Sequence, residues 1–224
     1  MLHEVAHFLR HARATAELKS RVSQAELYET VMTRADEAGL AEQRTALARS
    51  LRGRVLEIGA GTGAMFPHYP RDVELMALEC DESFVARARE KAGAAKCNVR
   101  IVVGSALSLP FDAKSFDAIV SCLVLCSVDD PAKALAEIAR VARPGASVRL
   151  LEHVRSPHAV AGALMRIFDP VWVALNGQGC HMNRDTEGAL VRAGFVLDAV
   201  HPFQVFSPGL PAFPMRRIES RFGG

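Results

Sequence analysis

Short, nearly unbroken apolar runs alternate along this chain with longer stretches in which apolar residues return every three or four positions. The runs at 55–58, 73–79, 99–103, 115–122 and 147–154 are too short for helices and rich in Val, Ile and Leu. They predict strands buried on both faces, the pattern of a parallel sheet. A sixth strand opens at Gly194-Phe195, and 215–222 reads as an antiparallel closing strand after the proline-broken apolar stretch 203–213. Helical periodicity fills the gaps, at 83–94, from Pro131 to Arg143-Pro144-Gly145, and towards Ala193 behind a cap at Arg184-Asp185-Thr186. Ahead of the first strand, three helices are predicted, over 2–22, 24–38 (closed by Gly39) and 41–51. Strands and helices in alternation give a doubly wound α/β sheet with helices on both faces and a ligand crevice at the carboxyl ends of its strands.

Composition adjusts this picture little. With 224 residues, half of them hydrophobic, the chain can bury one substantial core. Lys and Arg outnumber Asp and Glu by 27 to 25, and no basic stripe is interleaved with aromatics, so nucleic acid is not an expected partner. Cys80, Cys97, Cys122, Cys126 and Cys180 form an odd set without a C-x-x-C pair, which suits reduced thiols and a cytoplasmic location. No apolar run approaches the ~18 residues of a membrane span, and the start does not read as a signal peptide. His3, His7 and His11 share a helix face, but without a completing carboxylate or cysteine they read as solvated, and no metal site is expected.

The candidate chemistry is concentrated in Glu57-Ile58-Gly59-Ala60-Gly61-Thr62-Gly63, where a strand breaks into alternate glycines. Glycine accepts positive φ and lets backbone N–H groups approach a ligand closely, so a strand, this turn and a following helix are expected to make a nucleotide-sized cradle. Ala64-Met65 after the last glycine rules against a phosphate-binding loop, and Gly-x-Gly-x-Gly is not the dinucleotide spacing. Glu79, about 20 residues on at the end of the second strand, is placed to take both hydroxyls of a ribose. Glu152 and His153 end the fifth strand on the ligand side, where His153 either removes a proton from a nucleophile or shapes the pocket.

These residues resemble the class I S-adenosylmethionine-dependent methyltransferases, whose first motif reads Glu-x-Gly-x-Gly-x-Gly, and in particular the methyltransferase type 11 domain. Leu109-Pro110-Phe111, Phe116-Asp117 and Arg143-Pro144-Gly145 continue the match, with Gly104-Ser105-Ala106 standing where the family usually has Gly-Asp-Ala. Strings from Gly61 to Cys180, including Leu123-Val124-Leu125-Cys126-Ser127-Val128, Glu152-His153-Val154 and Asp169-Pro170-Val171-Trp172, resemble the group that contains the alkyl thiol S-methyltransferases.

The resemblance implies a Rossmann-like, mostly parallel seven-stranded sheet with an antiparallel last strand. It also implies a helical segment over 1–52 as a lid on a methyltransferase domain over 53–224, with S-adenosylmethionine as cofactor. The cofactor would lie against Glu57, Gly59, Ala60, Gly61, Thr62, Gly63, Glu79, Cys80, Gly104, Ser105, Ala106, Ser121 and Cys122. Tyr28, Cys126, His153, Trp172 and Cys180 would line the pocket of a small, lipophilic thiol, amine or hydroxyl acceptor, His153 being the candidate catalytic base. For Tyr28 and the cysteines, core packing is the competing reading. A phospholipid N-methyltransferase and a non-catalytic cofactor-binding partner domain are the alternatives. A monomer or homodimer is expected, and the amphipathic front helix allows peripheral membrane contact.

Overall fold

In the computed structural model, residues 23–176, 178–205 and 213–223 are described. The predicted helix over 2–22, its three histidines and most of the stretch 203–213 lie outside them. Seven strands form one sheet: β1 (Gly53–Ile58), β2 (Val73–Glu79), β3 (Asn98–Val103), β4 (Phe116–Cys122), β5 (Ala142–His153), β6 (Phe195–Phe203) and β7 (Met215–Phe222), in the order β3-β2-β1-β4-β5-β7-β6. Six run parallel, and β7 enters antiparallel between β5 and β6. The strand order reverses between β1 and β4, so their carboxyl ends flank the crevice where this topology binds ligands.

The continuous apolar runs are explained by burial on both faces. In β1, Val55 to Ile58 are all buried, and successive residues feed two opposite cores. One core holds Leu47, Phe66, Tyr69 and Leu75; the other holds Leu56, Phe116, Ile138 and Leu150. Before the sheet, α1 (Gln24–Ala35) starts at a capping box between Ser23 and Glu26. A π-turn at Asp36–Leu40, broken by Gly39 at φ 111°, passes into α2 (Ala41–Ala48). Further on come α3 (Glu82–Ala92), α4 (Pro131–Val141), α5 (Ala159–Asn176) and α6 (Thr186–Arg192), the last capped by Asp185 as the sequence predicts.

Two local expectations are corrected, and one stretch left unassigned by its sequence takes a definite form. The helix after Pro131 ends at Val141, and Arg143-Pro144-Gly145 forms an irregularity inside β5, with Gly145 at φ 76°. No α-helix follows the glycine turn; Pro67 and the positive φ of Gly63 leave a turn and a 3-10 segment at Phe66–His68. Conversely, Phe168-Asp169-Pro170-Val171-Trp172 lies within the 18-residue helix α5, which accommodates Pro170 in its interior.

Candidate functional site

The glycine turn closes the carboxyl end of β1. Gly59, Gly61 and Gly63 all hold positive φ, and a β-carbon on Gly59 would collide with Val124 across the crevice. The second strand delivers Glu79 to this loop, 7% exposed. Its Oε2 accepts from the Gly61 N–H at 2.8 Å, and its Oε1 accepts from the N–H groups of Cys80 and Asp81 at 2.8 and 2.9 Å. Oε1 is thus filled by two donors, while Oε2, with one, keeps acceptor capacity for another. Ala60 and Thr62 are buried within the loop, and Cys80 is exposed beside it.

Above the loop sits α1. The Tyr28 ring lies against Gly61, about 3.5 Å from where a β-carbon would be, and edge-on to Phe84 at 5.2 Å. Arg87–Glu26 and Lys91–Glu29 ion pairs tie α1 to α3. Burial drives the Tyr28 phenol well above its usual pKa, with the Arg44 cation opposing.

Beneath it is a buried polar group that the sequence reading left out. Arg44 of α2, 2% exposed, donates to Asp36 Oδ1 at 2.9 Å and points Nη1 at Cys122 Sγ at 3.0 Å. Glu57 is 1% exposed, and its Oε2 has no hydrogen-bond partner. Burial pushes its pKa up to about 8, with Tyr69 and Arg44 only partly opposing. The Tyr69 hydroxyl is buried and unpartnered too.

The far wall belongs to Glu152, fully buried at the end of β5. Its Oε1 accepts from Ser121 Oγ and from the N–H groups of Val124 and Leu125, and its Oε2 accepts from the Cys126 N–H, all within 2.9–3.1 Å. These bonds hold the loop after β4, where Leu123 adopts φ 62°, a conformation leucine rarely takes. Ser121 thus spends its hydroxyl on Glu152, not on the crevice. Gly104 packs against Leu78, and the exposed Ser105 accepts from the Leu107 N–H at 3.1 Å, inside its own turn next to Ala106.

Beyond the Glu152 loop three predicted pocket residues converge. Cys180 Sγ lies 3.4 Å from Cys126 Sγ and 3.2 Å from His153 Nδ1, and Cys126 Sγ is 4.0 Å from the same nitrogen. The Cys180 turn is wound around the Asn176 side chain, which accepts from the N–H groups of Gln178 and Cys180 and donates to the Trp172 and Cys180 carbonyls. Asp169 anchors the following residues through His181 Nδ1 at 2.6 Å and the Met182 N–H at 2.9 Å. Trp172 and Phe213 pack edge to face at 4.6 Å, with Phe213 next to His153, and form an aromatic wall.

Residues 56–150 match the methyltransferase domain family. Over this segment the chain is similar to methyltransferase domains. A thiol S-methyltransferase of Rattus norvegicus is 32% identical over 145 residues, 63% of this chain and 59% of that protein. A phosphatidylethanolamine N-methyltransferase of Cereibacter sphaeroides is 33% identical over 114 residues, 50% of this chain and 56% of that one. The chain thus spans less than two thirds of the length of either relative. A solved SAM-dependent methyltransferase of Thermotoga maritima has the same fold, with TM-score 0.67 over 90% of this chain and 96% of that one at 20% identity.

The match to the methyltransferase domain family implies S-adenosylmethionine as cofactor, and the residues present fit that molecule. Glu79 keeps an open acceptor position on Oε2 at the loop edge, suited to a ribose hydroxyl. Glu57 holds a buried carboxyl oxygen with no hydrogen-bond partner, which an arriving ammonium group would satisfy while favouring the ionised form. Arg44 is a buried cation suited to a carboxylate, and it had a legible signal: Leu40, Arg44, Leu47 and Ala48 share one buried helical face. Glu152 gave no such signal, because its partners are backbone N–H groups of a loop more than 25 residues away.

Proposed function

We propose that the chain is an S-adenosylmethionine-dependent methyltransferase acting on a small, lipophilic thiol. The observation that carries this reading is Glu79, buried and hydrogen-bonded across the glycine turn inside the segment matched to the methyltransferase family. The thiol preference rests on the kind of relative that matches and on the aromatic wall of Trp172 and Phe213 beside the Cys126–His153–Cys180 cluster. The cofactor supplies a methyl group on a sulfonium, already an excellent leaving-group arrangement. The chain's own part is to align the acceptor with that methyl group and keep water out. Glu79 and the loop N–H groups hold the sugar, Glu57 and Arg44 hold the amino-acid end, and Tyr28 covers the loop as part of a lid formed by the residues before 53. Titration calorimetry with S-adenosylmethionine tests the assignment: binding is expected, weakened about 10- to 100-fold in Glu79→Gln through loss of a charged acceptor. Absence of heat with the unaltered chain refutes it.

A second reading is favoured by one surface feature. Val160, Leu164, Ile167, Phe168 and Val171 form an exposed apolar stripe along α5, the stripe expected of a helix lying on a lipid surface. No helix among the described residues is long and apolar enough to cross a membrane. Methyl transfer to ethanolamine headgroups in liposomes, with none to soluble alkyl thiols, would replace the thiol reading by a phospholipid N-methyltransferase.

A further inference from the structure

Cys126, His153 and Cys180 come from three places in the chain: the loop after β4, the end of β5 and the turn after α5. Among the described residues they are the only group of three whose ligand atoms lie close enough to share a metal ion, all within 4.8 Å. Tetrahedral zinc holds sulfur at about 2.3 Å and imidazole nitrogen at about 2.0–2.1 Å, which sets ligands about 3.8 Å apart for two sulfurs and about 3.5 Å apart for sulfur and nitrogen. The three separations here, 3.4, 3.2 and 4.0 Å, bracket those values. Closing the triangle onto a central ion needs shifts of only about half an ångström.

The supports are those of a held site. Cys126 is fixed through its own N–H by Glu152, and Cys180 through its N–H and carbonyl by the Asn176 amide. The nearby Arg184 guanidinium is spent on the Leu125 and Val128 carbonyls and does not occupy the cluster. Outer partners of this kind orient metal ligands and set their affinity. Sequence spacing gave no hint of the triad, since no two of its members are closer than 27 residues.

We propose that Cys126, His153 and Cys180 bind one thiophilic divalent ion, zinc by their chemistry, and leave its fourth position open for the acceptor thiol. Two sulfurs and one imidazole with an open position form a catalytic type of zinc site, not a closed structural one. An acceptor that ligates the ion gives up its S–H proton to solvent and sits in the crevice as a thiolate. Its sulfur then forms the bond to the methyl carbon while the bond from that carbon to the sulfonium breaks. The products are a neutral thioether and S-adenosylhomocysteine, with the ion unchanged. His153 is on this account a ligand and not a base. The metal site stands on geometry alone, whereas the role of its open position rests on the thiol reading given above.

The test uses the full chain purified without chelators. Elemental analysis is expected to give about one zinc per chain, and less than about a tenth of that in Cys180→Ser. Cobalt(II) exchanged into the unaltered protein is expected to show thiolate charge-transfer absorption and intense tetrahedral d–d bands, which move when a small alkyl thiol is added. That spectrum needs no variant, so a Cys180→Ser chain that fails to fold does not spoil the test. The site falls if the unaltered chain takes up no zinc or cobalt, or if it is isolated with a Cys126–Cys180 disulfide. Cobalt bands unmoved by thiols leave the ion but remove the acceptor from it. Calorimetry with S-adenosylmethionine on the same sample separates the two readings: cofactor binding without metal refutes only the metal site, and metal without cofactor binding refutes the methyltransferase and the role of the open position while leaving the metal site.

Discussion

Replacing Glu152 tests whether one carboxylate organises the crevice. Four donors converge on its two oxygens, three of them backbone N–H groups that follow the left-handed Leu123. An amide in its place accepts at one end only. The less costly orientation of Glu152→Gln keeps oxygen towards Ser121, Val124 and Leu125 and turns nitrogen towards the Cys126 N–H, leaving one buried donor unpaired, at about 1–3 kcal/mol. Glu152→Ala removes every acceptor and opens a void, so a loss of about 4 kcal/mol or more is expected, a large part of a usual 5–15 kcal/mol. Ser121→Ala removes one bond and is expected to cost about 1 kcal/mol. Urea denaturation followed by circular dichroism gives the ranking, and hydrogen exchange should show the amides of Val124, Leu125 and Cys126 losing protection ahead of the sheet. If Glu152→Gln unfolds within about 0.5 kcal/mol of the unaltered chain, with those amides equally protected, Glu152 does not hold the loop.

Three further outcomes are expected. Glu57 has a raised pKa near 8, so the folded state keeps a proton that the unfolded chain releases above about 4.5; stability should therefore fall as pH rises between these values, by at most about 1.4 kcal/mol per unit, and Glu57→Gln should flatten the profile in urea titrations. Arg44→Met leaves Asp36 without its partner and should cost about 1–3 kcal/mol, much of it recovered by adding Asp36→Asn; a double-mutant cycle by thermal or urea unfolding reads the coupling, and strict additivity would deny it. Gly59→Ala combines a strained positive φ with a collision against Val124, for an expected loss of about 2 kcal/mol or more that Val124→Ala relieves in part, again read by urea unfolding.

Features whose placement follows from the local chain were legible. The buried strands announced themselves as continuous apolar runs, the glycine turn by its spacing, and Glu79 by its place at a strand end. Even the antiparallel last strand could be read, because 215–222 follows a proline-broken connection too irregular for a crossover helix. Groups whose roles depend on distant partners were not legible. Ser121 points to Glu152 and not to the crevice, and a serine near a strand end carries no mark of that choice. The resemblance grouped Cys126, His153 and Cys180 in one pocket, but their close convergence depends on how a loop, a strand end and a turn meet at the edge of the sheet. Helix α5 was hidden by Pro170, whose missing N–H usually ends a helix, and by apolar residues spread around it. The absent helix after Gly63 shows the opposite error, in which a familiar strand-turn-helix order outweighed Pro67.

Arg44 also bears on how this molecule can be divided. Its guanidinium comes from the residues ahead of β1, yet its neighbours Cys122 and Glu57 belong to the sheet. The junction near residue 52 is where the polypeptide enters the sheet, not a seam along which it can be severed. A chimera that borrowed its front helices from a relative would leave a thiol and a carboxyl facing the wrong charge, unless the matching cation travelled with them.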